Sequence, residues 1–307
     1  MVVVTGGTGF FGSHLIKGLL SNGYQIVLLK RSTSDLWRID ECISEIDLFN
    51  VDIFSLDVFY EKYPKIDACI HTATNYGGED IDIGDIFQVN VSFPFALLSS
   101  LYKSGCKIFL NTDTFYTKSN SNNTYRDMGD YITSKWHFSK LGRDFSALVG
   151  IVFINVRLFH LYGPMDNNNK FTASIFNQLI NNYDIDLTSG NQGRDFIYVE
   201  DAVEAFIEIL KEKHVCSNIE YEVGTGNIVS IRDFTQMAQK LIGSKSNLFF
   251  GRKKIRVCED KVSNIAADTY RLRKLGWFPK VSLEDGIKHC FDGVMRQHDV
   301  PKNKTTI

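Results

Sequence analysis

The chain begins with a short apolar strand that runs directly into a glycine-rich turn and then into a helix. Met1-Val-Val-Val-Thr5 is followed at once by Gly6-Gly7-Thr8-Gly9-Phe10-Phe11-Gly12, and apolar residues then recur at helical spacing until Asn22-Gly23. Glycines in such a turn let the backbone approach a pyrophosphate, which lies at the positive end of the helix. The flanking strand and helix make the pattern informative, so it predicts a dinucleotide-binding unit; a purely structural turn is the alternative.

Apolar strands alternate with helices through the first half of the chain. The segments predicted to be strands after the first are Gln25–Leu29, Ala68–His71, Lys107–Leu110 and Val152–Arg157. Nearly continuous apolar strands separated by helices are typical of a parallel sheet that is covered on both faces. The predicted fold class is therefore α/β, a Rossmann-like doubly wound parallel sheet, which binds ligands at the carboxyl ends of its strands.

The regular alternation of apolar strands and helices ends at Tyr162-Gly163-Pro164, where a polar loop follows. This change predicts a second domain. We expect residues 1–163 to form the dinucleotide-binding domain, with residues 195–224 returning to it. Within that segment, Asp195–Val199 and the helix Asp201–Leu210 are expected to return to the sheet. A smaller α/β domain that binds the substrate would comprise the remaining segments, residues 164–194 and 225–307.

The composition of the chain limits the kinds of binding partner that we expect. The chain has 307 residues, is 44% hydrophobic and 23% charged, and carries a formal net charge of −2, so no nucleic-acid or membrane partner is expected. Its six cysteines form no C-x-x-C pair, and its seven histidines show no metal-ligand spacing, so no metal site is expected. Because the chain opens on a predicted strand, we expect no signal peptide. We therefore expect a cytoplasmic protein.

Tyr131 and Lys135 open a predicted helix and are four residues apart, so both side chains lie on one helix face. A neighbouring ammonium favours tyrosinate, which is expected to lower the phenol pKa toward a range useful for proton transfer. The same lysine can hold a ribose hydroxyl. Alone, the pair could be an exposed helix pair, but its position after a dinucleotide motif favours a catalytic role.

A polar stretch, Asn111-Thr112-Asp113-Thr114-Phe115-Tyr116, ends the strand that begins at Lys107. A hydroxyl at that point can donate a hydrogen bond to a carbonyl oxygen while Tyr131 transfers a proton. A turn stabilised by local hydrogen bonds is the alternative interpretation.

With these motifs the chain resembles the extended short-chain dehydrogenases/reductases, the NAD-dependent epimerase/dehydratase family of nucleotide-sugar enzymes. The matching pieces run in family order along nearly the whole chain: Thr5–Gly12, Asp52-Ile53, His71-Thr72-Ala73, Asn90, Asn111–Tyr116, Tyr131/Lys135, Leu161–Pro164, Arg194-Asp195-Phe196, Val223–Gly226 and Leu275–Trp277. Together they are specific for the family and less specific for the reaction.

The resemblance implies a role for each matching position. Thr112, Tyr131 and Lys135 fall on the catalytic residues. The cofactor contacts implied beyond the glycine turn and the catalytic pair are Asp52, Ile53, Thr72, Ala73, Thr74, Asn90 and Leu158. The substrate contacts implied are Asn75, Tyr76, Asp113, Thr114, His160, Arg194 and Arg256. The two arginines suit a diphosphate because the planar guanidinium matches phosphate oxygens, although either could instead form a surface ion pair.

The loop after the second strand departs from the NAD-using members, which usually carry an acidic residue there. This chain has Lys30-Arg31-Ser32. Two cations and a hydroxyl suit a 2′-phosphate, so NADP(H) is favoured and NAD(H) is possible. The alternative is that Lys30 and Arg31 are solvated loop charges.

Two further departures concern the reaction. Sugar-nucleotide dehydratases often read Thr-Asp-Glu where this chain has Thr112-Asp113-Thr114, so the glutamate that eliminates water is missing. Asn often precedes the Tyr-Gly-Pro segment, where this chain has His160, which either reshapes the substrate contact or only packs.

Within the family, Thr72–Gly77 and Asn111–Thr114 look most like the reductases that complete CDP-3,6-dideoxyhexoses, the CDP-abequose and CDP-paratose synthases. The expected function is therefore NADPH-dependent reduction of a nucleotide-linked 4-keto-deoxysugar, a precursor of polysaccharides such as O-antigens. The alternatives are a nucleotide-sugar 4-epimerase with retained NAD and a non-catalytic dinucleotide sensor. The resemblance also implies a homodimer.

Overall fold

The computed structural model describes residues 1–78, 81–118, 128–212, 218–255 and 264–299, with the backbone alone for residues 295–299. Its strands are β1 Val2–Thr5, β2 Ile26–Lys30, β3 Asp47–Asn50, β4 Ala68–His71, β5 Ile108–Thr114, β6 Val152–Leu158, β7 His160–Tyr162, β8 Ile185–Leu187, β9 Gly193–Arg194, β10 Phe196–Tyr198, β11 Ile219–Val223, β12 Val229–Ser230 and β13 Leu248–Phe250. Its α-helices are α1 Phe10–Ser21, α2 Leu56–Lys62, α3 Ile83–Phe87, α4 Phe93–Lys103, α5 Gly129–Val149, α6 Phe171–Ile180, α7 Val199–Lys211, α8 Ile231–Ile242, α9 Tyr270–Lys274 and α10 Leu283–Asp299.

Seven of the strands form one sheet in the order β11-β6-β5-β4-β1-β2-β3. Every pairing within this sheet is parallel, so the carboxyl ends of its strands meet at one edge. The strand order reverses between β1 and β4, which is the place where doubly wound sheets bind their ligands. The predicted Rossmann-like α/β fold class is confirmed.

Apolar side chains on both faces of the strands explain why helices cover both sides of the sheet. Val4 and Leu28 face a core that α1 and α7 complete, whereas Val3 and Val27 face a second core that contains residues of α4 and α5. All four valine and leucine side chains are fully buried or nearly so. Because a strand alternates its side chains, two-sided burial requires the continuous apolar runs seen in the sequence.

Two predicted strands differ from the structure: one is longer than expected and the other belongs to a different sheet. β5 was predicted to end at Leu110 but continues to Thr114, because Asn111–Thr114 pair in register with Asn155–Leu158 of β6. The prediction that Asp195–Val199 returns to the large sheet is wrong. Phe196–Tyr198 instead pairs with His160–Tyr162 in a separate two-stranded parallel sheet.

Small sheets complete the second half of the chain. β9 pairs with β12 and β8 pairs with β13, and α8 and α10 pack nearby. The division into two domains stays a prediction. In the described part of the chain, no helix has both the length and the apolar composition needed to cross a membrane, and no group of three metal-ligating side chains occurs.

Candidate active site

The glycine turn after β1 is built so tightly that side chains would not fit. A Cβ on Gly12 would lie 2.2 Å from the carbonyl oxygen of Gly6, and a Cβ on Gly6 would lie 2.5 Å from the nitrogen of Ala73. Gly6 also has a φ of +70°, which favours glycine. Gly9 caps α1 without any side-chain hydrogen bond, so the first helical N–H groups face the turn. This cradle fits the pyrophosphate of a dinucleotide.

The ends of β1 and β4 are joined by a small hydrogen-bond network. The Thr5 hydroxyl lies 2.8 Å from His71 Nδ1 and accepts from the backbone N–H of Ala73 at 3.3 Å. Thr72 Oγ1 donates to the Thr5 carbonyl at 2.7 Å. These bonds hold the predicted cofactor-lining segment, residues 72–74, against the glycine turn.

The residues predicted to hold the adenosine half lie at the ends of β2 and β3. Asp52 accepts hydrogen bonds from the Ser32 backbone N–H at 2.8 Å and from the Ser32 hydroxyl at 2.7 Å. The Ser32 hydroxyl bond lowers the pKa of Asp52, which is therefore ionised at neutral pH. Arg31 and Ile53 are exposed. Lys30 Nζ donates to the Arg31 carbonyl at 3.0 Å, which leaves the Arg31 guanidinium as the outer cation of this surface.

Three of the predicted cofactor contacts, Phe10, Phe11 and Leu158, have side chains that lie next to other residues of the protein. The Phe11 ring packs 4.9 Å from that of Phe206 in the core, and Phe10 contacts His14 edge-on at 5.4 Å. Leu158 lies opposite Thr114 in the β5–β6 register. Phe11 can therefore offer a ligand its backbone N–H but not its side chain.

Asn90 ties the loop after β4 to the helix that carries Tyr131. It lies in a π-helical segment, Gln88–Ser92, and is fully buried. Its Oδ1 accepts from the Asn75 N–H at 2.8 Å, and its Nδ2 donates to the Asn75 carbonyl at 2.8 Å and to Ser134 Oγ at 2.9 Å. Asn90 therefore fixes the position of the loop at Asn75 relative to the helix that carries Tyr131.

Tyr131 lies at the start of α5 and is only 6% exposed. Burial raises the pKa of its phenol well above the usual value, and Tyr76 adds to this, whereas a hydrogen bond with Thr114 acts in the opposite direction. The expectation that Lys135 lowers this pKa is therefore wrong for the protein by itself, because desolvation dominates. Tyr131 holds its proton at neutral pH.

Lys135 is 1% exposed and its Nζ donates to Thr74 Oγ1 at 3.5 Å. Burial lowers the pKa of Lys135 to about 8, and the Asp113 carboxylate opposes that change. Thr112 lies at the carboxyl end of β5, 8% exposed, and its buried Oγ1 makes no hydrogen bond within the described residues. A buried hydroxyl without a partner is costly, so a ligand oxygen is the partner that would satisfy it.

An aromatic stack covers Tyr131. The Tyr76 ring lies 5.1 Å from the Tyr131 ring, and Lys170 Nζ lies 3.9 Å from the Tyr76 ring centroid. Tyr76 is 51% exposed, so it forms the outer wall of this part of the site. Lys170, just before α6, carried no signal in the sequence because its partner, Tyr76, is far away in the chain.

His160 in β7 lies opposite Phe196 of β10, and its backbone N–H donates to the carbonyl of Asp195, the residue that follows Arg194. The His160 ring lies 4.5 Å from that of Phe115, and its buried Nδ1 makes no hydrogen bond within the described residues. Burial, with Arg194 nearby, lowers the pKa of His160 well below its usual value, so the imidazole is neutral. Arg194 is 5% exposed and donates to the Gly193 carbonyl. Arg256, the other predicted arginine, lies outside the described residues.

Two residues that hold the site together were missed in the sequence. Arg38 donates to the carbonyl oxygens of Met165 at 3.0 Å and Thr8 at 3.4 Å, and to Asn167 Oδ1 at 2.8 Å. It therefore fastens the glycine turn to the loop after β7. Asp195 is fully buried and accepts from four donors: Thr225 N, Thr225 Oγ1, Gly226 N and Ala267 N.

The fold and the glycine cradle together define a dinucleotide-binding protein of the Rossmann class, with a tyrosine and a lysine beside the cradle. The chain belongs to the NAD dependent epimerase/dehydratase family, which matches residues 2–224.

Known relatives span nearly the whole chain. CDP-abequose synthase of Salmonella muenchen is 32% identical over 94% of this chain and 95% of its own length, and that of Salmonella typhimurium is 34% identical over 94% and 96%. Among solved structures, UDP-glucose 4-epimerase of Thermotoga maritima with UDP-glucose has a TM-score of 0.82 at 20% identity, covering 97% of this chain and 99% of that one. The structural likeness supports the fold.

Proposed function

We propose that the chain reduces a nucleotide-linked 4-keto-deoxysugar, of the CDP-4-keto-3,6-dideoxyhexose type, with NADPH. Family membership supports the broader statement that it is a nucleotide-sugar-modifying, NAD(P)-dependent enzyme. The relatives named CDP-abequose synthase, at 32% and 34% identity, support the narrower one.

The observation that carries the proposal is that a hydroxyl, that of Thr114, is the side-chain hydrogen-bond partner of the buried Tyr131, where a dehydratase would have a carboxylate. The Tyr131 phenol is buried and protonated. Reduction of a ketone requires a proton donor, whereas elimination of water requires a carboxylate base in the position that Thr114 occupies. Asp113, the neighbouring carboxylate, has a fully covered side chain that accepts hydrogen bonds from inside the protein.

Each residue then has a defined part in the reduction. A bound nicotinamide dinucleotide would supply the hydride needed to reduce the keto carbon. Thr112 donates a hydrogen bond to the carbonyl oxygen, and Tyr131 gives that oxygen its proton, so the ketone becomes an alcohol. Lys135 holds a ribose hydroxyl and stabilises the tyrosinate that remains. Asp52, Thr72 and the glycine turn hold the cofactor, and Arg194 and His160 face the diphosphate sugar.

The reaction class is tested by following nicotinamide absorbance and sugar product together. Given a nucleotide-linked 4-keto-deoxysugar, the enzyme should consume NADPH in equal molar amount as the keto sugar disappears. Given the parent nucleotide-linked hexose, it should release no 4-keto-6-deoxy product, because a threonine hydroxyl is too weak a base to replace a carboxylate. Dehydration of the hexose contradicts the proposal.

A 4-epimerase with retained NAD is the second candidate, because relatives and structural neighbours include 4-epimerases. An epimerase interconverts alcohols without net change in nicotinamide absorbance, and it keeps its nucleotide tightly bound. Denaturing the purified protein and identifying the released nucleotide separates the two: tight NAD indicates the epimerase, and exchangeable NADPH supports the reductase.

The exposed Arg31 is expected to select NADPH over NADH. Ser32 donates both of its groups to Asp52, whereas the Arg31 side chain is exposed and can reach a 2′-phosphate bound at this loop. Arg31→Ala should weaken NADPH binding by about ten- to a hundredfold and NADH much less, since a charge-assisted hydrogen bond contributes about 1.5–3 kcal/mol. Dissociation constants from fluorescence titration measure this.

Arg252→Ala is the matched control, because Arg252 is also exposed and pairs with Asp186. It should leave both affinities unchanged. An equal loss of NADPH and NADH affinity in Arg31→Ala would show that Arg31 does not contact the phosphate.

The homodimer also remains a prediction. The helices α4 and α5 expose four apolar side chains that such an interface could cover: Tyr102, Trp136, Leu141 and Leu148.

A further inference from the structure

Asp113 is a buried carboxylate with several internal donors. Its Oδ2 accepts from Asn155 Nδ2 at 2.7 Å and from Thr117 Oγ1 at 2.9 Å, and its Oδ1 accepts from the Thr114 N–H at 2.7 Å. Its side chain has no exposed surface. A carboxylate held in this way does not face a substrate in the cleft, although the resemblance implied a substrate contact at this position.

The packing of β5 on α5 directs Asp113 toward Lys135. Phe109, Asn111 and Asp113 alternate onto one face of β5, and the Phe109 ring packs 6.1 Å from that of Phe138 in α5. Lys135 lies one helical turn before Phe138, so it faces the carboxyl end of the same strand face. The buried ammonium and the buried carboxylate therefore share the layer between sheet and helix.

Among the described residues, Asp113 is the carboxylate whose charge acts on the buried Lys135. From β4, His71 is fully buried, and burial keeps its pKa well below the usual value, so it is neutral. Thr74 offers a hydroxyl and Tyr131, on the same helix, a protonated phenol. Burial lowers the pKa of Lys135 to about 8, and Asp113 is the group that raises it.

We propose that Asp113 is a positioning residue that acts through Lys135: its carboxylate keeps the buried ammonium charged and oriented beneath Tyr131. The carboxylate takes no part in proton transfer to the substrate. This inference rests on the proposed function for the catalytic task of Lys135, but not for the effect of the Asp113 charge on the Lys135 ammonium.

A surrounding charge network supplies a matched control. Arg157 Nε donates to Thr117 Oγ1 at 3.2 Å and lies 3.8 Å from Asp113 Oδ2, and its Nη1 pairs with Glu220 at 2.9 Å. Glu220 also pairs with Arg143 at 2.6 Å. Glu220 belongs to the same network but does not face Lys135, so Glu220→Gln disturbs the network without changing the charge next to the ammonium.

The test is the pH dependence of dinucleotide binding and of turnover in Asp113→Asn. Both should fall as pH rises through the value at which Lys135 loses its proton. Without the carboxylate, that midpoint should move about one pH unit or more toward acid, because a neighbouring opposite charge shifts a pKa by about 1–3 units. Glu220→Gln should keep the wild-type midpoint. Dissociation constants of NADPH and NADH across the pH range give the readout without turnover.

Asn155→Ala covers the case in which Asp113→Asn fails to fold. It leaves the carboxylate in place but removes a donor that favours its charge, so the midpoint should move in the same direction by a smaller amount. A folded Asp113→Asn with the wild-type binding midpoint overturns the inference, as does an equal shift in Glu220→Gln. If the 4-keto sugar is not reduced at all but the binding midpoint still moves, the proposed function is wrong and the effect of Asp113 on Lys135 is supported.

Discussion

Tyr131→Phe should reduce turnover by about 10²–10⁴-fold while leaving dinucleotide affinity nearly unchanged. The substitution removes the phenolic proton but keeps the ring, which stacks 5.1 Å from Tyr76. Tyr131 is only 6% exposed, so water has little access to the place from which the proton is donated. Steady-state reduction of the keto sugar and fluorescence titration of the cofactor measure the two quantities.

Tyr270→Phe is the control for this prediction, because Tyr270 is 61% exposed and lies in α9, outside the site. It should retain full turnover. Near-normal turnover in Tyr131→Phe would show that another group supplies the proton.

Gly12→Ala should abolish most cofactor binding and destabilise the fold. The added methyl group would lie 2.2 Å from the Gly6 carbonyl oxygen and 2.7 Å from Gly7 Cα, both backbone atoms that cannot turn away. Overpacking of this kind costs about 1–3 kcal/mol. Opening of the turn also displaces the N–H groups that face the pyrophosphate, so affinity should fall by at least about tenfold.

Gly129→Ala is the matched change, since a Cβ there meets no atom within 4 Å and the residue begins α5. It should leave the unfolding midpoint and the cofactor affinity unchanged. Thermal unfolding and dinucleotide titration of both variants measure the difference, and equal behaviour of the two variants would contradict the close-packed turn.

The parts of the molecule that sequence reasoning predicted are those determined by neighbours along the chain. The strand, the glycine turn and α1 follow from local apolar periodicity, and alternating strands and helices imply the parallel sheet. The family membership followed from motifs that keep their order over most of the chain. β5 was predicted to end too early because Asn111 to Thr114 are polar, and their pairing with β6 depends on a distant segment.

The electrostatics of the site could not be predicted from spacing. The Tyr131–Lys135 pattern suggested a lowered phenol pKa, yet burial under Tyr76 determines its direction. The buried position of Asp113 could have been predicted from the sequence. Strand alternation places it on the face of Phe109, away from that of Thr112 and Thr114, which assigns it to the buried layer below α5.

Long-range polar contacts left no pattern in the sequence at all. Asp195 binds backbone N–H groups of the Thr225-Gly226 turn and of Ala267, which lie far along the chain. The residues next to Asp195 in the sequence give no indication of these distant partners.

The three hydrogen bonds of Arg38 have a thermodynamic consequence. One guanidinium holds the Thr8 carbonyl in the glycine turn, and the Met165 carbonyl and the Asn167 side chain in the loop after β7, where we expect the substrate domain to begin. Any ligand that displaces one of these segments changes the energy of the other. We therefore expect the two binding equilibria to be linked, in which case the dinucleotide must alter sugar-nucleotide affinity by the same factor as the sugar nucleotide alters dinucleotide affinity.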